Sequence, residues 1–163
     1  MQKITPSLWF DNNAEEAMNY YVSVFKNSRI ISIERYPDES LDEHFKGMSG
    51  KVITGVFELD GLQFVCLDGG PIFKMNEAVS FTVDCADQAE VDYFWERLSA
   101  VPESEQCGWC KDKFGVSWQI IPKRLGELLS DPDKEKANRA MQAMMKMHKI
   151  DVAALESAFE GKQ

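Results

Sequence analysis

The sequence predicts an α+β fold of two similar halves, each a strand, a helix and then two or three antiparallel strands, followed by a helical carboxy-terminal tail. Three observations predict it. Residues 7–25 recur as residues 80–98, short apolar runs alternate with a period of two, and turn residues separate those runs. The recurrence needs no gap: SLWFDNNAEEAMNYYVSVF lies over SFTVDCADQAEVDYFWERL, with Ser7 on Ser80, Asp11 on Asp84 and Tyr20 on Tyr93. Leu8 meets Phe81, Phe10 meets Val83, Tyr21 meets Phe94 and Phe25 meets Leu98, so residue type is repeated as well as pattern.

Each copy opens as a strand. In the second, Val79, Phe81 and Val83 alternate with Ala78, Ser80 and Thr82; in the first, Pro6, Leu8 and Phe10 alternate with Thr5, Ser7 and Trp9. A helix follows each. Asn12 or Asn13 can cap the first, in which Ala14, Ala17, Met18, Tyr21 and Phe25 recur at helical spacing. Asp87 can cap the second, with Val91, Phe94, Trp95 and Leu98 on its apolar face. Residues 29–36 then alternate as a strand, and residues 52–59 and 62–68 flank Asp60-Gly61, a tight hairpin signal. In the second half, residues 107–112 and 116–121 flank a longer hairpin loop, and the strand expected between residues 100 and 106 is short or missing. The polar segments 37–50 and 69–77 read as loops.

The tail begins after Pro122 with a short helix over residues 123–129. Asp131-Pro132 is a helix start signal, and the pattern predicts a helix from there to about Lys149, with Ala137, Ala140, Met141, Met144, Met145 and His148 on one side. Asp151 can cap a last helix through Phe159. The methionine stripe reads first as core or subunit contact, and second as an adaptable binding surface.

Composition narrows the function classes. The chain has 163 residues, 44% of them apolar, enough for a core without disulfides or metal. A formal charge of -9 opposes nucleic acid and anionic membranes, since nothing would replace the counterions of the phosphates. No run approaches the roughly 18 apolar residues of a membrane span, and MQKITPSLWF lacks the pattern of a signal peptide. Four cysteines, Cys66, Cys85, Cys107 and Cys110, are too few for a disulfide scaffold, so the expected compartment is a reducing cytoplasm.

Cys107-Gly108-Trp109-Cys110 forms a C-x-x-C. A redox pair of that spacing wants a helix start, where the dipole lowers the thiol pKa, and here a strand and hairpin follow instead. A zinc knuckle wants a second close pair, and Cys66 and Cys85 are far apart. Packing thiols fit best; a reactive thiol at Cys107, Cys110 or Cys66 is the alternative. No Ser-His-Asp set is readable. Asp68, beside Gly69-Gly70, is either a residue of the cleft mouth or a turn-forming carboxylate.

FDNNAEEAMNYYVSVF, FELDGLQFVCLDGGPIFKMNEAVSFTVD and CGWCKDKFGVSWQIIPKRLGELLSDPD resemble the vicinal oxygen chelate superfamily, the glyoxalase and bleomycin-resistance fold, and within it the PhnB-like group. That resemblance covers nearly the whole chain. It implies one domain over residues 1–163, built of two βαβββ modules, about 1–70 and 77–122, with antiparallel-rich sheets around a cleft, and a helical tail over about 123–160. Members of the group often carry the label 3-demethylubiquinone-9 3-methyltransferase. A methyl-donor site wants a strand, a Gly-rich turn and a helix; here the glycine clusters lie in loops between strands, so the label reads as a family name rather than a mechanism.

Metal enzymes of the superfamily take His, Glu or Gln from four inward strand positions. Carried over one at a time, the last falls on Gln119, a weak neutral donor, and the third on Ala78, which has no donor atom. The first falls on Thr5 or Pro6, and the second within residues 65–67, where Cys66 is the donor. The expectation is therefore no metal and no cofactor. Of the two histidines, His44 lies in a loop and His148 on the tail, and both read as surface residues. The expected ligand pocket comprises Thr5, Ser7, Trp9, Cys66, Ser80, Thr82, Trp109 and Gln119, with aromatic rings for stacking and Ser, Thr and Gln for orientation. The reading is a homodimeric, cytoplasmic binder of a small molecule that engages neither nucleic acid nor membrane. The alternatives are an enzyme, either a metal-assisted lyase or dioxygenase or a methyltransferase, and a structural or protein-partner role through the Met-rich tail.

Overall fold

Both copies of the repeat fold as their spacings require. The computed structural model describes residues 2–162, and the chain divides into two units, Met1–Met75 and Asn76–Gln163. Among the described residues there are seven strands in two sheets and five α-helices.

The first unit contains β1 (Ser7–Phe10), α1 (Ala14–Val24), β2 (Arg29–Arg35), β3 (Val52–Leu59) and β4 (Leu62–Asp68), with the sheet ordered β1-β4-β3-β2. β1 runs parallel to β4, Leu8 opposite Cys66 and Trp9 opposite Leu67. The alternation sends Leu8, Phe10, Phe57, Leu59, Phe64 and Cys66 to one face, where α1 covers them with Ala14, Ala17, Met18, Tyr21 and Val24. Tyr21, Phe57 and Phe64 stack in series, with centroids 6.3 and 5.3 Å apart. Burial of each such ring stabilises the unit by about 2–3 kcal/mol. Segment 37–50 carries two short 3-10 turns, Glu39–Leu41 and Glu43–Phe45.

Asn13 occupies the N-cap of α1, but its side chain makes no capping bond. Asp68, at the end of β4, does that work across the fold. Its Oδ1 accepts from Ala14 N–H at 2.9 Å and its Oδ2 from Val52 N–H at 3.0 Å. Asp68 is buried and takes neither of the two roles expected for it, cleft mouth or turn: it ties α1 and β3 to the end of β4.

The second unit contains β5 (Ser80–Cys85), α2 (Gln88–Leu98), β6 (Trp109–Lys111), β7 (Ser117–Pro122), α3 (Lys123–Leu129), α4 (Lys134–Met144) and α5 (Val152–Phe159), with the sheet ordered β5-β7-β6. β5 is parallel to β7, as β1 is to β4, which makes the duplication visible in the topology. Asp87 caps α2 by accepting from Glu90 N–H. The strand foreseen as short or missing is a 3-10 turn, Pro102–Ser104, and a single bridge between Gln106 and Trp109.

The tail departs from expectation at α4. Asp133, not Asp131, is the N-cap, accepting from the N–H groups of Glu135 and Lys136. The helix ends at Met144 rather than near Lys149, although no Gly or Pro stops it. The last turn tightens, Lys146 N–H donating to Ala143 O and Met147 N–H to Met144 O, and tertiary bonds hold the chain beyond: Gln106 Nε2 donates to Met145 O, the carbonyl that Lys149 N–H would use in a longer helix, and Cys107 N–H and Gly108 N–H donate to Met147 O and His148 O, both at 2.8 Å. α5 starts at its expected cap, Asp151, which accepts from Ala154 N–H. Leu125, Leu128, Ala140, Ile150, Leu155 and Phe159 form the core of the tail. Among the described residues no helix is long and apolar enough to cross a membrane.

Candidate functional site

In the second unit the face of the sheet away from α2 carries the polar members of the alternation. In the second unit Ser80, Thr82 and Asp84 of β5 stand opposite Ser117, Gln119 and Ile121 of β7, and Trp109 of β6 stands opposite Gln119. Gln119 Nε2 donates to Ser80 Oγ at 2.9 Å, which orients the amide and leaves its carbonyl oxygen as an acceptor. Ser117, on the same face, is only 2% exposed, and its hydroxyl has no hydrogen-bond partner among the described residues. Such an orphaned hydroxyl costs roughly 1–3 kcal/mol.

Beside this face lies a groove of about 760 Å³. Thr82, Trp109 and Gln119 form its floor, Gln106 and Cys107 one rim, and Ile121, Leu125, Met144 and Met145 its apolar side. The pocket expected from the sequence contains none of these tail residues. The signal that could have found them is the methionine stripe, whose second reading was an adaptable binding surface.

The structure thus brings four of the expected residues together: Ser80, Thr82, Trp109 and Gln119. Thr5, Ser7 and Trp9 lie in the first unit, Ser7 and Trp9 alternating with the buried Leu8 and Phe10. Trp9 donates its indole N–H to Gly70 O at 2.9 Å, lies against Gly69, where a Cβ would collide with its ring, and meets the edge of Phe73 at 4.9 Å. Its orientation is therefore held by the chain that follows β4. Cys66 lies elsewhere. It is fully buried on the helix side of its sheet, packed with Gly55 and Met18, because it shares its face with Phe64 and Asp68 rather than with Leu67. Burial pushes its thiol up to about 12, with the Asp68 charge adding to the effect.

The C-x-x-C divides between two environments. Cys110 is buried on the helix side of β7's neighbour β6, and its thiol is pushed up to about 12 by burial and then by Asp112 and Glu105. Cys107 sits with Gly108 at the tip of a tight turn, with φ of 52° and 85°, closed by paired bonds between Gln106 and Trp109. Positive φ at both central residues is the hairpin geometry that matches strand twist. Gln106 Nε2 donates to Cys107 Sγ at 3.1 Å, and the Cys107 thiol points at Met145 Sδ, 3.9 Å away. All four cysteines are free.

The donor set does not fit a divalent cation at the superfamily positions. Ala78 offers no donor and Cys66 is turned to α1, which leaves the neutral carbonyl oxygen of Gln119 as a weak donor. Among the described residues no three His, Cys, Asp or Glu side chains gather where they could hold a metal ion.

A family model described as 3-demethylubiquinone-9 3-methyltransferase matches residues 2–121. A Bacillus cereus PhnB protein carrying that same methyltransferase description is 39% identical, with a TM-score of 0.61, over 74% of this chain and 99% of that one. A Pseudomonas aeruginosa protein of known structure is 16% identical with a TM-score of 0.54, over 75% of this chain and 98% of its own, a likeness of fold. FosX, a fosfomycin resistance protein of Listeria monocytogenes, is 16% identical with a TM-score of 0.45, over 72% of this chain and 91% of its own. Among curated proteins, none matches the chain.

Proposed function

The chain belongs to the PhnB-like family described as 3-demethylubiquinone-9 3-methyltransferase, of the glyoxalase or vicinal oxygen chelate fold, and on that premise we propose that it binds a small molecule without a catalytic metal. The observation that carries the proposal is the groove of the second unit, where Trp109 offers a stacking surface next to the Ser80–Gln119 pair and Thr82. A flat ring on Trp109 gains contact area, and a polar substituent finds the free carbonyl of Gln119 and the hydroxyl of Thr82. Methyl transfer lacks similar support: the strand-to-helix turns, Asp11-Asn12-Asn13 and Ala86-Asp87, contain no glycine to approach a cofactor.

The test is thermal unfolding against a panel of neutral aromatic and heteroaromatic compounds, run with chelator and with added zinc or manganese. A ligand at about 100 times its Kd stabilises by about 2.7 kcal/mol. We expect the same rise in Tm in both conditions, and its loss in Trp109→Ala. A rise that requires the divalent ion would overturn the metal-free reading. A homodimer is a second proposal, supported by the exposure of Ile72 and Phe73 after β4. Light scattering at the mass of one chain would remove it.

A further inference from the structure

We propose that the carboxy-terminal tail is a specificity-determining wall of this groove, in which Met144 and Met145 select an uncharged ligand with a flat apolar body and disfavour its anionic analogue. The inference rests on the groove being the ligand site.

The family match ends at residue 121, so α3, α4 and α5 lie beyond it. The Bacillus relative is covered over 99% of its length by 74% of this chain, so a sizeable part of this chain has no counterpart there. Yet Leu125, Met144 and Met145 of the tail line the groove beside Trp109 and Gln119. This wall is anchored. Besides the bonds from Cys107 and Gly108, Gln106 Nε2 donates to Met145 O at 3.0 Å. Gln88 of α2 donates to Ile150 O and accepts from Val152 N–H. The backbone is thus held while the two unbranched thioether side chains stay able to mould to a guest.

Charge supplies the selectivity. The lining contains no carboxylate, ammonium, guanidinium or imidazole. Lys111, the next residue of β6 on this face, is paired with Glu77. An anion entering the groove would shed hydration with no counter-charge to replace it, in a chain whose formal charge is already -9. A neutral ring meets apolar sulfur and carbon on one side and indole on the other.

The experiment uses two dyes that share a ring system, neutral N-phenyl-1-naphthylamine and anionic 8-anilino-1-naphthalenesulfonate, titrated by fluorescence into the full-length protein. The wild type should bind the neutral dye about tenfold more tightly than the sulfonate. Met145 is 56% exposed, so Met145→Lys should fold, with Tm within about 2 °C of wild type. It should weaken the neutral dye about fivefold and tighten the sulfonate, narrowing or reversing the preference. Met141, 41% exposed and one turn earlier on α4 but outside the lining, is the control; Met141→Lys should leave both affinities within about twofold. Absence of saturable binding of the neutral dye, equal wild-type affinities, or equal effects of the two lysine substitutions would each overturn the role of the tail. Trp109→Ala separates the two readings. If it weakens the dye and Met145→Lys does not, the groove stands and its tail wall falls; if neither matters, both fall.

Discussion

In the first module the edge of β3 is covered by β2, a strand from Arg29 to Arg35; in the second, the edge of β6 meets a 3-10 turn, one bond from Ala100 N–H to Lys111 O and the bridge from Gln106 to Trp109. The turn that ends this short hairpin is tied instead by Met147 and His148, from far along the chain. The first module thus completes its sheet with local sequence, and the second borrows from the tail. The borrowed segment brings methionines to the open face, and that is where the groove with the expected Trp109 and Gln119 lies. A duplicated unit can diverge in this way because an incomplete sheet edge leaves backbone donors that some other segment must satisfy.

Each module also contains a buried carboxylate, and removing these should have the largest effects. Asp112 accepts from the N–H groups of Phe114 and Val116 and from Trp118 Nε1; Asp68 accepts from Ala14 and Val52. Asp112→Ala should cost about 4 kcal/mol and Asp68→Ala about 3 kcal/mol, scaling with the donors left unpaired. Urea denaturation measures both, and losses below 1 kcal/mol in either would break the parallel.

Leu155→Ala tests the borrowed edge. Leu155 is fully buried in the core of the tail, so the change should cost about 3 kcal/mol. Amide exchange at Cys107 and Gly108 should accelerate, while the amides of Ala14 and Val52 keep their protection. Unchanged exchange at Cys107 and Gly108 would show that the tail does not brace the turn.

Two glycines with nearly the same backbone sharpen the contrast. Gly108, at φ 85°, would place a Cβ 3.0 Å from Ile120 O and 3.1 Å from Ile150 Cγ1. Gly61, at φ 82° in the hairpin of the first module, has nothing within 4 Å. Gly61→Ala should cost about 1 kcal/mol, from the left-handed conformation alone, and Gly108→Ala about 2 kcal/mol, because the packed tail adds a steric cost. Calorimetric Tm values that fall equally would remove the packing contribution.

At neutral pH the smallest effects concern thiols. At neutral pH a thiol reagent should modify Cys107 in the native protein, and all four cysteines only after denaturation, since Cys66, Cys85 and Cys110 are buried. Burial lifts each of these three from about 9 to about 12. The unfolded chain then loses those protons first as pH rises, so stability is intact below pH 9 and declines between 9 and 12, by at most about 1.4 kcal/mol per pH unit per thiol. Stability rising with pH in that range would contradict the burial of these groups.

Much of this was legible in the residues. The repeat, the hairpin at Asp60-Gly61, the caps at Asp87 and Asp151, and the shared face of Ser117, Gln119 and Ile121 all follow from neighbours in sequence. The face of Cys66 was not, because a strand's alternation gives two faces and only its register against β1 and β3 says which one α1 covers. Asn13 holds the N-cap position of α1 as expected, but the carboxylate that accepts from Ala14 N–H was not legible, because Asp68 is distant in the chain.

By itself the sequence determined the order and type of the elements and the residue classes on each face, since periodicity, turn chemistry and caps act over a few residues. Only the tertiary structure decided where α4 ends, which thiol of the C-x-x-C meets the groove, and that the tail walls it. Those outcomes depend on groups of distant segments finding one another, and a buried N–H or C=O pairs with whichever partner the packing brings within reach.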